Sequence, residues 1–140
     1  MPKEHLAHLV LQEGTRFAGA ADSGHTVVID DSADSGGGGG VTPVEMVLLG
    51  LAGCAGMDIV TILRKQRQPL AGLEVRARGL RRDELPRIFT DIALEFIVHG
   101  PGVAPAAIER AIELAQTRYC SVWGMLAPSA AISASFQIVE

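Results

Sequence analysis

The residues best suited to covalent chemistry in this chain are its two cysteines. Cys54 lies in the stretch GLAGCAGMD, Gly50 to Asp58, and Cys120 in TRYCSVWGM, Thr117 to Met125. A thiolate is a nucleophile, and a second thiol within reach closes a disulfide with it once the first is oxidised. There is no Cys-x-x-Cys pair, and His5, His8, His25 and His99 have no metal-ligand spacing, so no metal and no cofactor are expected. A Gly-x-Ser-x-Gly nucleophile motif does not occur. Free cysteine is also among the most buried residue types. Each thiol is therefore read either as a packed small side chain or as a reactive group.

The charges near the cysteines are mixed. Asp58 follows Cys54 by one helical turn and faces the same side, and a carboxylate there raises a thiol pKa. Arg16, in a strand near the N-terminus, is the candidate cation, and a solvated strand arginine is its bland reading. Glu45 is a candidate base, but the helix geometry turns it away from Cys54, and a capping role explains it better. Cys120 ends a helical pattern, where the dipole disfavours a thiolate, so it reads as the resolving thiol.

These side chains need elements to hold them. HLAHLVL (His5–Leu11), TRFAGAA and HTVVIDD read as a three-stranded N-terminal meander. The glycine run of DSADSGGGGG, Asp31 to Gly40, reads as a flexible loop, and no Gly-Lys-Ser/Thr follows to make it a phosphate cradle. Thr42, Pro43 and Glu45 form a helix start with a capping box, and the helix should run to Lys65 or Arg67, before Pro69. Apolar on nearly all sides through Met57, that helix is expected to be buried. Its glycines at 50, 53 and 56 would let a second element, or a substrate, reach the Cys54 sulfur. Two alternating segments, GLEVRARGLRRD and IFTDIALEFIVHG, predict long strands with one wet face. A second helix is predicted from Pro105 to about Tyr119, then a short turn SVWGML, then a last strand AISASFQIV. The fold class is α+β, one domain over 1–140, divided into 1–40 (meander and glycine loop) and 41–140.

Composition narrows the function classes. The chain has 140 residues, 48% hydrophobic and 20% charged, with net charge −4. No basic patch with interleaved aromatics appears, so no nucleic-acid partner is expected. The apolar run Met46–Met57 is shorter than a bilayer span, and the N-terminus MPKEHLAHLV has no signal-peptide layout. No membrane partner and a cytoplasmic location follow as expectations. Two distant cysteines in a reducing compartment argue against a structural disulfide.

Three segments together, TPVEMVLLGLAGCAGMDIVTILRKQRQ, LPRIFTDIALEFIVHG and AIERAIELAQTRYCSVWGML, resemble the OsmC/Ohr family of osmotically inducible and organic hydroperoxide resistance proteins. The likeness is greatest to its OsmC-like YhfA branch. It implies antiparallel sheets wrapped around long central helices in an intertwined homodimer. It implies that Cys54 attacks a hydroperoxide, organic or inorganic, that Cys120 resolves the sulfenic acid to a disulfide, and that an external dithiol reductant restores both thiols. In the peroxidase branches the glutamate directly follows the proline and orients an arginine; here Val44 stands in that place and Glu45 comes one later. The resemblance makes Arg16 the candidate for that arginine. The alternative is a non-catalytic member of the same fold that binds a small apolar or electrophilic ligand at the dimer groove. A third reading, with both cysteines purely structural, requires them to stand beyond disulfide reach.

Overall fold

The computed structural model describes residues 2–140, which gather into two compact units, one ending at Val47 and the other beginning at Leu48. The N-terminal unit is the expected meander: β1 (Ala7–Glu13), β2 (Arg16–Ala21) and β3 (Thr26–Ile29) pair antiparallel in that order. Every residue of β1 is solvent-exposed.

The glycine segment is a loop, as expected, and it is tied down by hydrogen bonds. It closes around the buried side chain of Asp30. Oδ1 of Asp30 accepts from Thr15 Oγ1 at 2.7 Å and from the Asp31 amide at 2.7 Å, and Oδ2 accepts from the Gly39 amide at 3.0 Å. A Cβ at Gly39 would stand 2.8 Å from Asp30 Oδ2 and 2.9 Å from Arg16 Cδ, and one at Gly37 would collide with the Asp31 carbonyl. Gly36 and Gly38 adopt φ of +90° and +97°, which L side chains rarely take. At Gly39 the backbone must pass within contact distance of the Asp30 carboxylate, which leaves no room for a side chain. A short 3₁₀ turn, Ala33–Ser35, completes the loop.

Helix α1 (Pro43–Lys65) starts and stops where the sequence says it should. Thr42 N–H donates to Glu45 Oε1 at 2.8 Å and Glu45 N–H to Thr42 Oγ1 at 3.1 Å, the reciprocal bonds of a capping box. At the other end Arg67 takes φ of +55° and Gln68 N–H reaches back to the Leu63 carbonyl at 2.9 Å. This closes the helix on its own free carbonyls.

In the C-terminal unit, β4 (Gly72–Arg81) and β5 (Phe89–His99) form an antiparallel pair. Strand β6 (Ala131–Val139) joins β5 in parallel, so this sheet is mixed where wholly antiparallel sheets were expected. The parallel pairing is possible because the chain between β5 and β6 is a long helical crossover. That crossover comprises α2 (Pro105–Leu114), a π-helical turn (Ala115–Tyr119) and α3 (Ser121–Leu126). The predicted second helix thus changes pitch at Ala115, and the SVWGML segment expected as a turn is helical.

One face of the sheet is wet, as expected: Arg76 lies 3.6 Å from Glu95 and 3.8 Å from Glu74. The other face is the core. Ile92, Leu94, Phe96 and Val98 alternate along β5 and pack with Leu51, Ala55, Ile59 and Leu63, a four-residue-spaced stripe of α1, and with Ile108, Ala111, Ala115 and Trp123. Removing one fully buried leucine from such a cluster costs about 2–5 kcal/mol.

The expectation that α1 is buried on all sides changes. As a whole it is long and apolar enough to cross a membrane by length and composition, although the run Met46–Met57 alone seemed too short. Its completely buried stripe makes it the central helix of this core instead. The remainder of its surface is open: only 28% of its most apolar stretch is buried, and Leu49 and Met57 are exposed. Within this chain the glycines of α1 meet no second helix among the described residues. Gly56 packs on strand β4, where a Cβ would lie 3.1 Å from Val75, while Gly50 and Gly53 face open space.

Candidate functional site

Cys54 projects from the middle of α1 and is half-buried, whereas Cys120 is buried at the junction of the π turn and α3. Both are free thiols, and the pair stands at 3.1 Å. The purely structural reading expects the two cysteines beyond disulfide reach, and a 3.1 Å approach does not fit that expectation. Cys120 gets to this position through the π turn. Its extra residue per turn lets the helix end on an extended residue, φ −77° and ψ +104°, that caps the next helix.

Being the N-cap of α3 also revises the electrostatics expected of Cys120. Its sulfur accepts from the Trp123 amide at 3.4 Å, a contact that favours the thiolate. The thiol is nevertheless pushed up to about 11. Burial is the main cause, followed by the hydrogen bond to Cys54 and by the charges of Cys54 and Asp58. The direction agrees with the sequence reading, but its cause is desolvation and neighbouring anions, not a helix C-terminus.

Asp58 completes the cluster. Ligand atoms of Cys54, Asp58 and Cys120 all lie within 4.8 Å of one another. This is the i, i+4 relation along α1 that the sequence indicates. The Oδ2 atom of Asp58 is buried and has no hydrogen-bond partner. Burial holds its pKa above the ordinary carboxylate value. Asp58 also borders a cavity of about 320 Å³ lined by Thr61, Ile62, Lys65, Gln66, Leu114 and Tyr119. Sequence reading missed that cavity, since its walls come from two elements whose pairing no local pattern announces.

Arg16 and Glu45 belong to the N-terminal unit, and each has partners within it. Arg16 Nε donates to Gln12 Oε1 at 3.0 Å, its guanidinium lies 3.7 Å from Glu13, and its charge helps to lower the Asp30 pKa. Glu45 uses Oε1 in the capping box. Asp30 itself went unremarked in the sequence, although the run of glycines after it was the available signal.

The family described as OsmC-like protein matches residues 36–135. Protein YhfA of Escherichia coli K12 is 41% identical over 128 residues, covering 91% of this chain and 92% of YhfA. Among solved structures, a hypothetical protein from Aquifex aeolicus VF5 is 28% identical with a TM-score of 0.85, covering 99% of this chain and 100% of its own. An organic hydroperoxide resistance protein OsmC from Legionella pneumophila, described as a predicted redox protein, shares the fold at a TM-score of 0.71 and 15% identity, covering 96% of this chain and 97% of its own. With most of its length matched by the family and by YhfA, and with the fold its relatives share, this chain belongs to the OsmC-like protein family.

Proposed function

We propose that the protein reduces hydroperoxides, organic or inorganic, with the Cys54/Cys120 dithiol, as part of peroxide defence. The observation that carries this reading is the 3.1 Å approach of two free thiols from different elements. Cys54 is the attacking sulfur because it is the more accessible of the two and Cys120 is the one whose thiol is pushed up. Sulfur attacks the terminal peroxide oxygen, the O–O bond breaks, and an alcohol leaves while Cys54 becomes a sulfenic acid. The Cys120 sulfur then displaces hydroxide to form the disulfide and water. An external dithiol reduces the disulfide and is itself oxidised. Arg16 and Glu45 enter this reading as the candidate cation and its orienting carboxylate, tested by Arg16→Met and Glu45→Gln. A reducing, cytoplasmic setting suits two thiols that work as a redox pair.

We further propose that the working form is a homodimer. The support is the open apolar side of α1, with Leu49, Gly53, Met57 and Val60 lining a groove of about 520 Å³ beside Val75 of β4. An apolar groove on a central helix is a surface that soluble proteins cover.

Peroxide loss followed with cumene hydroperoxide and a dithiol tests the enzymatic reading. The wild type should turn over, Cys54→Ser should lose activity at least 100-fold, and Cys120→Ser should oxidise once without forming a disulfide. Equal peroxide loss in wild type and Cys54→Ser would refute it. A second reading, ligand binding without catalysis, is favoured by one observation: the anion nearest the thiols, Asp58, opposes a thiolate. It predicts iodoacetamide labelling of Cys54 at neutral pH no faster than that of free cysteine, whereas the peroxidase reading predicts faster labelling.

A further inference from the structure

A buried carboxylate oxygen without a partner, set against two thiols, is a costly arrangement unless it handles their protons. An unsatisfied buried polar atom carries its full desolvation cost, and a charged one carries more. Here Asp58 Oδ2 is such an atom, and the thiols of Cys54 and Cys120 stand in its cluster as proton donors. We propose that Asp58 is the proton carrier of the dithiol, a role resting on the peroxidase reading above. When Cys54 attacks, its S–H proton passes to the Asp58 carboxylate, and from there to the alkoxide oxygen released as the O–O bond breaks. When Cys120 attacks the sulfenic acid, its proton takes the same route to the departing hydroxide, which leaves as water. Each step ends with Asp58 unprotonated, so the residue turns over with the thiols.

Geometry supports the assignment. The i, i+4 relation on α1 puts the carboxylate over Cys54, and Cys120 meets both from the π turn. Asp58 also borders the cavity of about 320 Å³, so the carboxylate has a route to space beyond the two thiols. The titratable groups facing the cluster are Cys54 from α1 and Cys120 from the crossover, and Lys65 and Tyr119 line the cavity beyond it. Nothing among the causes acting on Cys120 is cationic. A thiol pushed up to about 11 resolves a sulfenic acid slowly at neutral pH unless a base stands beside it, and Asp58 is that base.

The bland alternative has the opposite sign. If Asp58 only repels a thiolate, removing its charge lowers the Cys120 pKa and speeds thiol chemistry at neutral pH. If it carries the proton, Asp58→Asn slows chemistry about 100-fold at pH 7, with the rate recovering as pH rises toward the thiol pKa, and Asp58→Glu restores much of it. The experiment measures single-turnover rates across pH for wild type, Asp58→Asn and Asp58→Glu with two reagents, cumene hydroperoxide and the neutral disulfide dithiodipyridine. Slower Asn and rescued Glu with both reagents support the proposal. Faster Asn at neutral pH with either reagent, or an unchanged pH profile, overturns it. If the wild type ignores the hydroperoxide while the dithiodipyridine rates behave as stated, the peroxidase reading fails and the Asp58 assignment stands. Matching circular dichroism spectra confirm that the near-isosteric Asn variant is folded.

Discussion

Two acidic side chains show how the same group serves opposite ends. Asp30 has its carboxylate satisfied by Thr15, Asp31 and Gly39, and the Thr15 hydroxyl does most to hold its pKa below the ordinary 3.8. A folded-state pKa below the unfolded one adds stability that is complete above the unfolded value and fades as pH falls through the folded one. Asp30→Asn or Thr15→Val should therefore lower the melting temperature at pH 7 and leave less to lose below pH 3.8; an acid titration followed by circular dichroism reads this directly. For Asp58 the sign reverses. Its folded-state pKa is raised by burial, so the native carboxylate opposes folding once pH exceeds its unfolded value. Asp58→Asn should melt higher than wild type at pH 7, and a lower melting temperature would contradict that account. A residue retained at a cost in stability, next to two thiols, is what a functional role looks like.

At the level of elements, the start and end of α1 were legible in the sequence because capping is local chemistry. Thr42, Pro43 and Glu45 act within one turn of each other, and the structure has both bonds of the box. Thr42→Ala should cost about 1 kcal/mol, read as a shift in urea midpoint. Strands β4 and β5 were equally legible, since alternation along a half-wet sheet is written residue by residue. The pitch change at Ala115 and the parallel seating of β6 were not, because both are settled by what the crossover packs on. For the same reason the fate of Cys120 was misread: the sequence shows a helix ending there, and only the structure shows another beginning. The partner of the glycine run was not legible. Asp30 and Gly39 lie nine residues apart, and no periodicity links a carboxylate to the amide it binds. Gly39→Ala should destabilise the N-terminal unit, because a Cβ meets Asp30 and Arg16 within 2.9 Å.

For the molecule as a whole, the open side of α1 is the feature that the isolated chain leaves unexplained. The sequence indicated a helix apolar on nearly all sides, and that pattern is real: the sheet and crossover cover one stripe, and Leu49 and Met57 stay exposed. Gly50 and Gly53, with nothing near them, would let another backbone come close. If a second copy lies there, Leu49→Asp with Met57→Asp should convert a dimer to a monomer in light scattering. Gly53→Leu should do the same, while Gly53→Ala should be tolerated far better. A wild type that is monomeric at micromolar concentration would leave the homodimer without support. The cysteine pair was legible as two candidate thiols and, through family resemblance, as partners. Their closeness depends on α1 and the crossover packing on one sheet, which no local pattern encodes.

The central claim is that Cys54 and Cys120 act as one redox unit. Reduced protein is treated with less than one equivalent of cumene hydroperoxide, remaining thiols are blocked, and the peptides are mapped by mass spectrometry. The account predicts a Cys54–Cys120 disulfide within one chain, one formed for each hydroperoxide converted to its alcohol. Recovery of both cysteines as blocked thiols with the hydroperoxide unconsumed would contradict it.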